Sequence, residues 1–249
     1  MNEKITQLRR ILDESTYTVA LCGSGMMEEG GFIGIKKQDK AYDIENRYGY
    51  GVEEMYTSAF YNTRPEQFFE FYKKEMLSNI PKDTASNPAL AAMERAGKLQ
   101  CVIDSNIYDK PRRGGCRNVI NLHGSIYQNQ CPRCRKKYPV SYIRDSRRVP
   151  ICEVCNIPVR PMISLIGEMV DSQNMTRTTE EITKADTLLL LGTTLASEVF
   201  CHYIAYFSGR NLVIIHRQEH YTDKDASLVI LDQPMNVLPE LGYREEDKG

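Results

Sequence analysis

Apolar residues fall at positions 5, 8, 11 and 12 of MNEKITQLRRILDES, a spacing that places them on one face of a helix. The next run, YTVALCGSG, is apolar without alternation and ends in glycines, which predicts a buried strand. Residues 37–98 read differently. They are polar, rich in Tyr and Phe, and contain helical pieces such as RPEQFFEFYKKEML; the aromatic stripes there are read as core. From residue 99 short apolar runs return: LQCVIDS, RNVINLHG, PMISLIGE, TLLLLGTT, NLVIIHR and SLVILD. Helical patterns, notably TRTTEEITKAD and EVFCHYIAYFSG, separate several of them. Continuous apolar strands spaced by helices predict a parallel sheet covered on both faces. The expected fold is therefore α/β, a Rossmann-like doubly wound parallel sheet with a small cysteine module and a helical insert. The expected segments are 1–36, 99–124 and 161–249 for the sheet domain, 37–98 for the insert and 125–160 for the module.

Composition changes this picture little. The 249 residues are 41% hydrophobic and 26% charged, with Lys+Arg 32 against Asp+Glu 33 and a net charge of -1. A general nucleic-acid coat or a binder of anionic membranes would show a basic excess. The basic stretches KPRRGGCR and CRKKYPVSYIRDSRR are read as solvated loops, so neither nucleic acid nor membrane is expected as a partner. No apolar run reaches the length of a membrane span, and the N-terminus lacks a signal-peptide core. The expected location is cytoplasmic.

Four of the eight cysteines form two pairs, Cys131-x-x-Cys134 and Cys152-x-x-Cys155, with seventeen residues between them. In a reducing compartment this is the spacing of a two-knuckle zinc site. Four thiolates leave no open coordination position, so the zinc is expected to be structural. The set is complete without a histidine, which removes His123 from the metal's ligands. Gly23, Ser24 and Gly25 end the first strand, where a glycine turn either receives a pyrophosphate or is only a turn. Glu28 and Glu29 sit badly beside a phosphate unless they point away. Gly192, Thr193 and Thr194 stand at the carboxyl end of another strand, where open α/β sheets bind ligands; a plain turn fits equally.

Taken in order, these stretches resemble the sirtuins, NAD-dependent protein deacylases or ADP-ribosyltransferases. GSGMMEEGG lies where that family has its Gly-Ala-Gly loop. VIDSNIYDKPRRGGCRNVINLHGS resembles the Thr-Gln-Asn-Ile-Asp segment leading to Leu-His-Gly. VRPMISLIGE, LLLGTTLAS and NLVIIHRQEHYTDKDASLVI resemble the later family motifs, and the four cysteines lie between them. Residues 42–77 resemble the helical insert of the macrodomain-linked, or class M, branch. There are departures. Gly31-Phe32-Ile33-Gly34-Ile35-Lys36 stands for Gly-Ile-Pro-Asp-Phe-Arg, Tyr108 for the motif's acid, His216 for an Asn, and Ile166 for a Phe.

The resemblance implies a function and a site. NAD is the expected co-substrate, cleaved to nicotinamide and O-acyl-ADP-ribose, and zinc the structural metal. An acyl-lysine protein or peptide is the expected partner. His123 would be the general base, and Asn106 would orient a ribose or a water. Gly23, Ser24, Gly25, Phe32, Asn106, Gly192, Thr193, Thr194 and His216 would line the cofactor. Ile163, Ile166, Gly167 and Glu168 would receive an extended peptide as an added strand. The altered pocket keeps other readings open: protein ADP-ribosyl transfer, NAD hydrolysis, or a non-catalytic NAD or ADP-ribose binding module. Without the resemblance, His123 reads as a satisfied strand-end histidine.

Overall fold

The computed structural model describes residues 3–244; the outermost ends of the expected segments, 1–2 and 245–249, lie outside the described residues. The chain divides into two compact units. Unit 1 is drawn from Met1–Gly30, Lys82–Leu122 and Asp171–Gly249, and unit 2 from Gly31–Pro81 and His123–Val170.

Unit 1 is built on a parallel sheet of β1 (Thr18–Cys22), β2 (Cys101–Asp104), β3 (Val119–Asn121), β7 (Thr187–Leu191), β8 (Asn211–His216) and β9 (Leu228–Leu231), in the order β3-β2-β1-β7-β8-β9. All five residues of β1 and all five of β7 are buried, as their unbroken apolar runs predict. Val19, Leu21, Ile103, Leu188, Leu190 and Ile214 share a core with Ile182 and Phe200 from the covering segments. Each such leucine contributes about 2 kcal/mol by leaving water. The first helix, Glu3–Glu14, buries Ile5, Leu8, Ile11 and Leu12, the face its spacing predicts. The helix expected in TRTTEEITKAD forms as Ser172–Lys184, started by the Asp171 side chain, which accepts from the Gln173 N–H. The stretch EVFCHYIAYFSG gives only a single turn, Cys201–Ile204.

Unit 2 carries a second sheet, of β4 (Gly124–Gln130), β5 (Lys137–Tyr138) and β6 (Arg160–Ile163), with β4 antiparallel to both neighbours. The run PMISLIGE therefore joins this sheet and not the parallel one. The burial of β6 alternates, with Pro161 and Ile163 inside and Met162 outward, as suits a strand with one wet face. Helices Gln38–Tyr48, Val52–Met55, Ser58–Thr63 and Pro65–Phe71 precede it in the chain, the last continuing into a π-helical turn at Tyr72–Leu77. Phe60, Phe68, Phe69, Phe71 and Tyr72 are buried, and Tyr61 meets Phe68 edge-on at 5.1 Å. Buried Glu75 gathers Lys40 (2.6 Å), Arg47 (2.7 Å) and the Tyr48 hydroxyl (3.0 Å). Lys73 Nζ donates to the carbonyls of Ser146 and Arg148, both at 2.7 Å, so the helical stretch and the cysteine stretch belong to one unit.

The observed division thus differs from the expected segments. Residues 82–98 pack in unit 1, because helix Ser86–Arg95 buries Leu90, Ala91 and Met93 and its Glu94 accepts from the Arg117 and Asn118 N–H groups beside β3. Residues 31–36 and 161–170 pack in unit 2. No described helix is long and apolar enough to cross a membrane.

Candidate active site and metal centre

The four predicted ligands converge. The sulfurs of Cys131, Cys134, Cys152 and Cys155 all lie within 4.8 Å of one another, and Cys134 Sγ is 3.7 Å from Cys152 Sγ. Tetrahedral zinc with Zn–S bonds of about 2.3 Å sets sulfurs about 3.8 Å apart. Each pair sits in the same local turn. The N–H of Cys131 donates to the Lys136 carbonyl and that of Arg135 to Cys131; the N–H of Cys152 donates to Ile157 and that of Asn156 to Cys152. Arg135 (φ 59) and Asn156 (φ 53) close the two knuckles in the left-handed region. Burial pushes the Cys152 thiol up, but the Tyr138 hydroxyl at 3.2 Å and the Cys155 and Val154 N–H groups bring it down to about 6. Burial and the Cys134 and Cys131 sulfurs push Cys155 up to about 12. Four thiolates so close together need a cation, and an all-sulfur tetrahedron fits zinc.

In unit 1 the strand order reverses between β1 and β7, which is where a crevice opens outside the carboxyl ends of an open sheet. Two turns dovetail there. Gly23 N–H donates to the Leu191 carbonyl and Gly25 N–H to the Gly192 carbonyl, both at 2.9 Å. A Cβ on Gly23 would lie 2.5 Å from Thr193 Cβ, and one on Gly25 would lie 2.6 Å from Gly192 Cα. Gly192 itself has φ +60. These glycines let two backbones touch, a role outside the two sequence readings of a pyrophosphate turn or a plain turn. Ser24 is exposed and its side chain makes no capping bond. Glu29 turns away from the turn: its carboxylate accepts from Thr84 (2.6 Å), Ser86 and the Met235 N–H (3.0 Å). With that acid engaged elsewhere, the uncharged donors Ser24, Thr193 and Thr194 suit a dinucleotide. His216 ends β8, 6% exposed, with Nε2 2.9 Å from Asp223 Oδ2; the same oxygen accepts from the His220 N–H.

Asn106 follows β2. Its Nδ2 donates to Asp104 Oδ1 (2.7 Å) and to the Gly23 carbonyl (3.0 Å), tying it to the glycine turn. Tyr108 is only 2% exposed and fills core. The next residue, Asp109, takes φ 51 and accepts from Asn121 Nδ2 at 2.6 Å. Asp104 was not among the predicted residues. Its signal was an ionisable side chain closing an otherwise apolar run.

The remaining predicted residues lie in unit 2. His123 opens that unit's second stretch, and burial lowers the pKa of its imidazole, which favours the neutral ring a base requires. The glycine after it is sterically required. Gly124 has φ +74, and a Cβ there would stand 2.0 Å from the Met162 carbonyl oxygen. Phe32 is half-buried, also in unit 2. Ile163 is buried at the end of β6. Ile166 pairs with Thr57: its N–H donates to the Tyr56 carbonyl and its carbonyl accepts from the Ser58 N–H, both at 3.0 Å. The Glu168 carboxylate is engaged by Arg160 Nη2 (2.6 and 2.7 Å) and the Leu165 N–H (2.8 Å), so it shapes the loop that presents Gly167. Arg160 also lies 4.8 Å from the centre of the Tyr61 ring. Arg160 and Thr57, like Asp104, were not singled out in the sequence.

Comparisons with known proteins point to one family. The profile of the Sir2 family matches residues 24–199. An NAD-dependent protein deacetylase of Clostridium acetobutylicum is 32% identical, over 95% of this chain and 97% of its own. One of Cutibacterium acnes is 35% identical, over 91% and 92%. Among solved structures, one concerned with sirtuin substrate affinity superimposes with a TM-score of 0.85 at 28% identity, covering 97% of this chain and 98% of that one. A Sir2–p53 peptide–NAD+ complex gives 0.79 at 27% identity, covering 96% and 97%. These relatives do not single out the macrodomain-linked branch. A profile match over most of the chain, and relatives above 30% identity along nearly all of it, establish that this chain belongs to the Sir2 family.

Proposed function

We propose that the chain is an NAD-dependent protein lysine deacylase in which His123 is the general base. The observation that carries this is a histidine whose burial favours the neutral imidazole, in a chain about a third identical to NAD-dependent protein deacetylases. Bound NAD supplies an electrophilic ribose carbon and a leaving nicotinamide, the chemistry that captures the acyl oxygen of a modified lysine. Gly23, Ser24, Gly25, Phe32, Gly192, Thr193, Thr194 and His216 would hold it. Asn106 orients a ribose hydroxyl or a water through its side-chain amide. His123 accepts the hydroxyl proton at a ring nitrogen. The edge formed by Ile163, Ile166, Gly167 and Glu168 takes the acyl-lysine peptide as an added strand; since Ile166 already pairs with Thr57, the free backbone there is centred on Gly167.

Tyr108, buried where the family keeps an acid, favours a second reading, ADP-ribosyl transfer to protein. One experiment separates the two. His123→Ala is expected to lower deacylation of an acyl-lysine peptide roughly a hundredfold or more, with NAD affinity by calorimetry unchanged. An unaltered deacylation rate removes His123 from the role. Label from the adenylate phosphate of NAD appearing on protein in the variant selects the second reading.

A further inference from the structure

β2 ends in a carboxyl group that the packing around it does not explain. Asp104 has no exposed surface. Its Oδ1 accepts twice from Asn106, from the backbone N–H at 3.0 Å and from Nδ2 at 2.7 Å. Its Oδ2 is buried and has no hydrogen-bond partner among the described residues. The titratable groups that act on it bring no relief. Asp109, further along the loop that follows β2, pushes it the same way as burial does, and Cys22 on the adjacent β1 is itself a buried thiol driven well up. On the other side, in β3, its register partner is the neutral Asn121. A carboxyl enclosed with one oxygen unsatisfied lowers stability, and a small neutral residue would fill the place at less cost. What the group does accomplish is local. With Nδ2 held between Asp104 Oδ1 and the Gly23 carbonyl, a flipped Asn106 amide would set its oxygen against two acceptors.

We infer that Asp104 is a positioning residue: it locks the Asn106 amide so that the amide oxygen is the atom offered to a ligand at the carboxyl end of β1 and β2. This rests on the reading above, in which Asn106 serves the reaction. Asp104 touches neither substrate nor cofactor in this role and acts through Asn106 alone. Burial raises its pKa to about 7, with the Asn106 bonds opposing and Asp109 adding to the rise. The ionised form can only accept hydrogen bonds, so it holds the amide in one orientation. The neutral form carries a proton of its own and holds it less strictly.

The test is a double-mutant cycle on the full chain with Asp104→Ala and Asn106→Ala, followed by nicotinamide release with an acyl-lysine peptide. Asp104→Ala is expected to lower kcat roughly tenfold, the effect of one charge-assisted hydrogen bond, and to have no further effect once Asn106 is alanine. An equal loss in both backgrounds makes Asp104 merely structural and overturns the proposal. Asp104→Asn guards against misfolding, because it keeps the shape and one acceptor. In it, a kcat limb near pH 7 present in the wild type should vanish, leaving the His123 limb at lower pH. A second readout does not depend on turnover. The Asn106 side-chain NH2 pair, followed by nitrogen-15 NMR, should shift across pH 7 in the wild type and not in Asp104→Asn. No shift in the wild type overturns the proposal, whereas a shift in a protein with no turnover upholds the lock and removes the deacylase reading.

Discussion

In unit 1 the residues of β1 and β7 are buried without exception, whereas no strand of unit 2 is buried throughout. The fixed points of unit 2 are instead directional: four sulfurs, Glu75 among Lys40, Arg47 and Tyr48, and Glu168 clasped by Arg160. The sheet of unit 1 is ordered by exclusion of water, whereas unit 2 adds to its buried aromatic rings bonds that fail if a single partner is absent. Burial is spread over many side chains and tolerates the loss of one methyl group. A metal centre or an ionic cluster is concentrated in a few atoms.

The sharpest way to break this contrast is to remove the metal. Chelation at neutral pH, or Cys134→Ser, is expected to abolish amide-exchange protection across 123–170 while β1 and β7 keep theirs. Metal-linked folding at small structural zinc sites is worth about 10–16 kcal/mol. Equal losses in both units, or none, would erase the distinction. Next in size is Gly124→Ala. It places a Cβ 2.0 Å from the Met162 carbonyl at φ +74, and should destabilise unit 2 by about 3 kcal/mol or more in denaturant melts. An unchanged midpoint would show that β4 and β6 do not meet so closely.

The most gradual effect, the smallest per step of the variable changed, concerns the enclosed carboxyl of the parallel sheet. Asp104 has a folded pKa of about 7 against an ordinary 3.8. Between those values the folded chain holds a proton that the unfolded chain has released. Stability therefore falls as pH rises from about 4 to about 7 and levels off above it. Relative to Asp104→Asn, the wild type should lose about 1 kcal/mol per pH unit over that window. A constant difference between the two proteins would mean that the carboxyl is not enclosed.

Six of the seven apolar runs lie in the parallel sheet, because a strand covered on both faces shows an unbroken apolar pattern. The seventh, PMISLIGE, misleads for a local reason. Met162 is apolar yet points outward, so the alternation that marks an antiparallel strand is invisible in the composition. The metal site was legible from spacing alone, since two Cys-x-x-Cys turns need nothing else to meet. The nucleotide turn was only half legible. Gly23, Gly25 and Gly192 stood out, but that they exist to let two backbones touch appears only when β1 and β7 are neighbours. Asp104 was hidden because hydropathy reads CVID as a strand with a polar end. Its importance comes from Asn106, two residues on, turning back to it. The insert's true end was equally hidden, since helix Ser86–Arg95 resembles its polar neighbours and declares its side only through Leu90, Ala91 and Met93.

The way the chain is shared between the two units carries a consequence for its synthesis. Every residue of unit 2 precedes Asp171, whereas unit 1 still lacks β7, β8 and β9 at that point, and β1 has only β2 beside it. A nascent chain grows from its N-terminus and folds segment by segment. The cysteine knuckles and their helices are therefore complete, and can take up metal, while half of the parallel sheet is still unmade. The exposed edge of β1 waits for β7 during that interval, and a zinc-starved cell would lengthen the list of unfinished parts.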